Sequence, residues 1–187
     1  DFWLRQRRLM QPAFHREKID LLCDMIVQQT QTMLDPLEST ARNEGVINAS
    51  HEIMNLTMII ASEALFGKRV EDKDGKFGEV IQTLASDTTF RWEHPFYPPA
   101  WFPAPHNQRF NAALKHLDGI INGIIAERRA HPSENNDVLE MMMEAQLEES
   151  EVTGGQPRSM TDKQLRDEVV TLLLAGHETT ANNLCWT

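Results

Sequence analysis

Cysteine is scarce in this chain. Cys23 and Cys185 are the only two in 187 residues, and neither belongs to a CxxC pair or a Cys/His ladder. That argues against a disulfide framework and against structural zinc. It suits a reducing, cytoplasmic setting, and both residues read as core thiols. Long hydrophobic runs are missing too. The longest weakly polar stretch near the end, Val169 to Gly176, falls far short of the roughly 20 residues a spanning helix needs. No segment alternates as a strand would, and no internal repeat is present. Positive charge is in deficit, with a net charge of −10. An acidic body lacks the phosphate-neutralising surface that nucleic-acid binding requires.

What is present is ordinary for a globular domain with a real core: 41% hydrophobic and 25% charged residues. The charge is uneven. Arg5, Arg7, Arg8, Arg16 and Lys18 face only Asp1 and Glu17 in the first 18 residues. This basic start is either a docking face for an acidic partner or anionic ligand group, or a solvated helix face. Asp1 opens the chain without a methionine, and Thr187 closes it inside an apolar helical run. We therefore expect a portion of a longer protein.

Helical spacing dominates, which makes the fold class all-α. Residues 1–10 read as a short helix stopped by Pro12. Ile19 to Ala41 is a second, with Leu22, Ile26, Met33 and Leu37 on its inner side and Pro36 as a kink or stop. Ser50 to Phe66 is apolar along Ile53, Leu56, Ile60 and Ala64, and Gly67 caps it. Glu71 to Gly75 is turn chemistry only, since Val70 stands where a calcium loop needs its first acid. Phe77 to Arg91 is another helix. Residues 94–107 hold five of the nine prolines and four aromatics, so they form an apolar loop: a lid over a hydrophobic pocket, a surface that touches a membrane or partner, or a packed connector. Phe110 to Ala130 carries Leu114, Leu117, Ile121 and Ile124 on one side. Val138 to Leu147 is shorter, and residues 148–160 read as an exposed loop.

The last helix is the best defined. Thr161 caps it, with Gln164 completing a capping box and Asp162 at the positive end of the dipole. From Asp162 to the chain end is 26 residues, about 39 Å at the standard rise. Val170 to Ala175 is apolar nearly all round, which predicts a buried centre.

That helix contains Ala175-Gly176-His177-Glu178-Thr179-Thr180. Gly176 costs about 1 kcal/mol against alanine in a helix interior. The Thr179 hydroxyl is placed to bond back to the Ala175 carbonyl and loosen the helix. Glu178 adds an ionisable group whose burial needs a purpose or a partner. The alternatives are a helix that admits a small molecule beside a proton source, or a frustrated core helix with Glu178 on its solvent side. His177-Glu178 is not a zinc HExxH motif, because Ala181 stands where the second histidine belongs; His51-Glu52 fails likewise at Asn55. At the other end, Trp3 and Arg7 are four apart and share a helix face. An indole N–H and a guanidinium so placed clamp a carboxylate, or else form a surface cation–π pair.

Taken together, these features resemble the cytochrome P450 family along essentially the whole chain. Trp3-Leu4-Arg5-Gln6-Arg7-Arg8 with Gln11-Pro12-Ala13-Phe14 is similar to the family's WxxxR helix and following turn. Ala175 to Thr180 resembles its (A/G)Gx(D/E)T(T/S) motif, and the proline-rich loop falls where the family has its substrate-access loop. The resemblance implies a haem-dependent monooxygenase that activates dioxygen and oxidises an apolar small molecule. Electrons would come from NAD(P)H through a ferredoxin or flavoprotein reductase. It implies that Trp3 and Arg7 contact a haem propionate, and that Ala175 and Gly176 lie against the distal haem face. Thr179 would hold a widened turn and bond the iron-bound dioxygen, and Glu178 would belong to the proton path.

The same resemblance implies a cysteine ligand loop and a Glu-x-x-Arg helix beyond this region, and strands and helices before it. None occurs in residues 1–187, which are expected to be a partial domain unable to turn over alone. The alternative is a non-catalytic all-helical ligand-binding module, which has no reason to gather Gly176, Glu178 and Thr179 in one buried helix.

Overall fold

The computed structural model describes residues 4, 7–8, 10–43, 45–70, 77–132, 137–144 and 160–187. Every regular element among them is helical, in accord with the all-α expectation. The predicted turn at 71–75, residues 145–147 and all but the last residue of the expected loop at 148–160 lie outside the described residues; that last residue, Met160, is buried in the core and not exposed as expected. No described helix is long and apolar enough to cross a membrane.

A 3-10 turn, Gln11–Phe14, leads into α1, Arg16–Arg42. Pro36 sits inside α1 without ending it. Met25 joins Leu22, Met33 and Leu37 on the half-buried edge, whereas Ile26 points outward. α2, Ala49–Phe66, begins where the Asn48 side chain accepts the His51 N–H at 3.2 Å. It stops where Gly67 takes φ 63 and sends its N–H to Glu63 O at 2.8 Å. A left-handed cap of this kind favours glycine, and the predicted stop holds. α2 lies between α1 and α6, so its burial is not one stripe. Leu56, Thr57, Ser62, Leu65 and Phe66 are buried, while Ile53, Ile60 and Ala64 are only half-buried.

α3 is Phe77–Glu93 and α4 is Pro105–Ala130. α4 starts five residues earlier than expected because Pro105 occupies its first turn, where a missing N–H costs nothing. The irregular segment therefore shrinks to 94–104. α5 covers 138–144, and α6 is Asp162–Cys185.

The core draws on five helices: Phe66, Ile81, Leu117, Ile121, Leu139 and Leu173 are each at most 1% exposed. Arg128 joins three elements beneath it. Its Nη2 donates to Phe66 O at 2.8 Å, and its Nη1 reaches Asp137 at 2.9 Å and Glu140 at 3.0 Å. Burial opposes the guanidinium charge, but the bonds from Asp137 and Glu140 outweigh it and raise the proton affinity above the ordinary arginine value.

Candidate functional site

α6 is anchored at its start. The Gln164 N–H donates to Thr161 Oγ1 at 3.3 Å and the Thr161 N–H to Gln164 Oε1 at 2.7 Å, which is the predicted capping box. Asp162 pairs with Arg129 of α4 at 2.5 Å, and Arg166 pairs with Asp118 of the same helix. From there α6 splits into two sides. Leu165, Val169, Leu173, His177 and Ala181, four apart, form a buried stripe turned toward α2 and the core. Thr171, Ala175, Gly176, Thr179 and Thr180 are exposed. The expectation of a centre buried all round is thus corrected: the described residues cover one side of α6 only.

The open side carries the motif. The Thr179 hydroxyl donates to Ala175 O at 2.5 Å, the back-bond anticipated from spacing. The helix nevertheless stays α-helical from Asp162 to Cys185, so no widened turn is present. A Cβ built on Gly176 meets no atom within 4 Å beyond its own stretch of helix backbone, so the space over this patch of small groups, Ala175, Gly176 and Thr179, is open. Glu178 is turned sideways from that patch and half-buried. It lines a cleft of about 570 Å³ between α2, α3 and α6, shared with His51, Asn55, Glu79, Gln82 and His177. No described residue hydrogen-bonds or ion-pairs with the Glu178 carboxylate.

The other expected site residues are less accessible to description. Trp3 lies outside the described residues, and Arg7 is helical and exposed. The expectation of core thiols is corrected. Cys23 and Cys185 are both exposed. Cys23 stands on the outward face of α1. Cys185 is exposed at the end of α6, where its sulfur lies 3.6 Å from Ser50 Oγ in the first turn of α2.

Residues 94–104 are packed at their base, as a connector would be, and apolar on their outer surface. Their base is tied down by Asn107, fully buried, whose Nδ2 donates to the carbonyls of Pro98, Pro99 and Phe102 at 3.2, 2.8 and 2.9 Å. Prolines lack N–H groups, so a chain turning through them has few donors of its own. Arg91 donates to Asn107 Oδ1 at 3.1 Å and to Asp87 at 2.6 Å, and His106 Nε2 lies 2.6 Å from the other Asp87 oxygen. Phe90 is stacked between His94 and His106, with Tyr97 edge-on. Outward, Phe96 and Trp101 are almost wholly exposed.

Sequence reasoning missed Thr57 and the structural place of His177. His177 is buried, and its Nδ1 lies 3.0 Å from Thr57 Oγ1 of α2. Burial pushes its imidazole below the usual range, so it is neutral near pH 7. The stripe Leu165–Val169–Leu173–His177–Ala181 was a readable signal for the burial of His177. Nothing local marked Thr57 as its partner.

The family model of cytochrome P450 matches residues 1–187, and the chain belongs to that family. Cyclooctatin synthase of Streptomyces melanosporofaciens is 34% identical over 187 residues, covering 97% of this chain and 38% of that protein. Cyclooctat-9-en-7-ol 5-monooxygenase of the same organism is 29% identical over 182 residues, with the same two coverages of 97% and 38%. The heme domain of a cytochrome P450DA mutant has the same fold, with a TM-score of 0.76 at 24% identity over 96% of this chain and 38% of that one. The chain thus spans about 38% of the length of the relatives it matches.

Proposed function

We propose that the protein carrying this chain is a haem-dependent monooxygenase, and that α6 forms the oxygen-side wall of its site. The observation that carries this reading is the open patch of Ala175, Gly176 and Thr179, with Glu178, unpaired among the described residues, on the adjoining side of the helix. A flat macrocycle fits such a patch, since nothing larger than a methyl or hydroxyl projects from it and the space beyond Gly176 is clear. When bound, haem supplies the iron at which dioxygen is reduced and split. The Thr179 hydroxyl spends its proton on Ala175 O, so its lone pairs accept a hydrogen bond from a protonated ligand atom on that face. Glu178 exchanges protons with solvent in the cleft and hands them toward the patch, the general-acid task such chemistry needs.

Trp3 and Arg7 would clamp a haem propionate from the other end of the chain. The exposed Arg8, with Arg5, would help dock an acidic electron-transfer partner, a ferredoxin or flavoprotein reductase drawing on NAD(P)H. The substrate is an apolar small molecule, a class consistent with the apolar surface of 94–104 and with a relative named as a monooxygenase of cyclooctat-9-en-7-ol. The test is a carbon monoxide difference spectrum of the reduced, full-length protein. The red-shifted Soret band of a thiolate-ligated haem is expected, and its absence sinks the proposal.

A further inference from the structure

The Thr57 hydroxyl sits among three neighbours: Ile53 O at 3.0 Å, Met54 O at 3.1 Å and His177 Nδ1 at 3.0 Å. It has one proton. If that proton went to Nδ1, the hydroxyl lone pairs would face two carbonyl oxygens at contact distance, which repels. If it goes to the carbonyls, all three contacts are attractive, and His177 Nδ1 must then be the donor. The ring is thereby fixed in one tautomer, with Nδ1 protonated and Nε2 an acceptor. Thr57 is the one hydrogen-bond partner of this ring among the described residues, and the ring lines the same cleft as Glu178.

We propose that His177 is a positioning residue for the proton supply of Glu178: Thr57 locks its tautomer, and its Nε2 accepts a hydrogen bond from water in the cleft and orders that water beside the carboxyl group. This rests on the reading of Glu178 as a proton-handling residue. The depressed proton affinity of the buried ring supports it, because a neutral imidazole keeps its acceptor lone pair near pH 7. The cleft suits the task. His51, Asn55, Glu79 and Gln82 on α2 and α3 bring polar groups to a lining that Met54, Met58 and Ile81 make partly apolar, and its volume of about 570 Å³ is ample for several waters.

Two measurements on the full-length, haem-loaded protein test the proposal. The first is nitrogen NMR of ring-labelled histidine in the diamagnetic ferrous carbonyl state. His177 is expected to show a protonated Nδ1 and a bare Nε2, and Thr57→Val is expected to release the ring to a mixture. The opposite tautomer in the unaltered protein overturns the proposal. The second is the hydrogen peroxide released per electron consumed. His177→Asn keeps a donor near Nδ1 for Thr57 but removes the Nε2 acceptor, and should raise peroxide roughly fivefold, the worth of one ordered water contact. His177→Gln restores a polar atom near Nε2 and should recover most of that loss, which a purely structural role does not predict. If His177→Asn leaks no more than the parent while Glu178→Gln leaks more, His177 has no such role and Glu178 keeps its own. If neither variant leaks, the reading of Glu178 falls and takes this proposal with it.

Discussion

On one side of α6, Leu165, Val169, Leu173 and Ala181 are at most 1% exposed; on the other, Ala175, Gly176 and Thr179 are open. Both sides belong to one continuous helix with one capping box, so helix propensity does not separate them. The buried side is chosen for volume, because each side chain there fills space against α2 and the core. The open side is chosen for smallness. It keeps a glycine and three threonines that a helix would rather not have. A helix that accepts poor formers where nothing among the described residues covers them is keeping a surface clear, and substitutions should separate the two sides cleanly.

The largest effect is expected on the buried side. Leu173→Ala should cost about 3 kcal/mol, by lost burial plus the cavity left behind. Denaturant titration of the full-length protein is the check, and a loss under about 1 kcal/mol would mean that this side is not packed as described. Product formed per electron should change little in the protein that remains folded.

Thr179→Ala should do the reverse. Alanine is the better helix former, so stability is held or slightly raised. Product per electron should fall about tenfold, with the difference released as peroxide, because the hydrogen-bonding oxygen on the patch is gone. Equal coupling in the variant and the parent would refute the role assigned to that hydroxyl.

These contrasts also show what was readable in advance. The cap at Gly67, the capping box at Thr161 and the bond from Thr179 to Ala175 involve residues within a few positions of each other, and local chemistry suffices to find them. The hydrogen bond from His177 to Thr57 spans 120 positions, and the hold of Asn107 on three carbonyls depends on how α4 is docked. Neither leaves a periodic trace. The stripe from Leu165 to Ala181 was legible, but within Val170 to Ala175 the open side of α6 was hidden. A run such as Val170 to Ala175 is apolar whichever way it faces, and only the docked position of α2 decides which side is covered. The cysteines were misjudged for the same reason: their average preference is for burial, but Cys185, on the last turn of α6, stays exposed even where it meets Ser50 at the start of α2.

His177 offers a pH-dependent break in the comparison, since it is the one titratable group on the buried stripe. Its folded-state proton affinity is depressed by burial from the ordinary value of 6.5. The folded state therefore binds the proton less readily than the unfolded chain. The stability it contributes is complete above pH 6.5 and is lost as the pH falls through the lowered folded value. His51, Glu79 and Glu178 line the same cleft, so the comparison must be with His177→Asn, which leaves them in place. The parent should lose stability faster than the variant below pH 6.5. Parallel curves would show that the ring titrates as it does in water.

The smallest effect is the sharpest test of the open side. Gly176→Ala adds one methyl to a helix interior, worth up to about 1 kcal/mol from propensity alone. A Cβ there meets no protein atom within 4 Å, so nothing in the described chain opposes the gain. Haem seated against the patch would oppose it, because the methyl projects into the space the macrocycle needs. The sign should then depend on the cofactor: stabilising in the haem-free protein, neutral or destabilising once haem is bound. Denaturant midpoints of the two forms read this directly. A gain of equal size in both would mean that haem does not approach Gly176, and the open patch would then need another occupant.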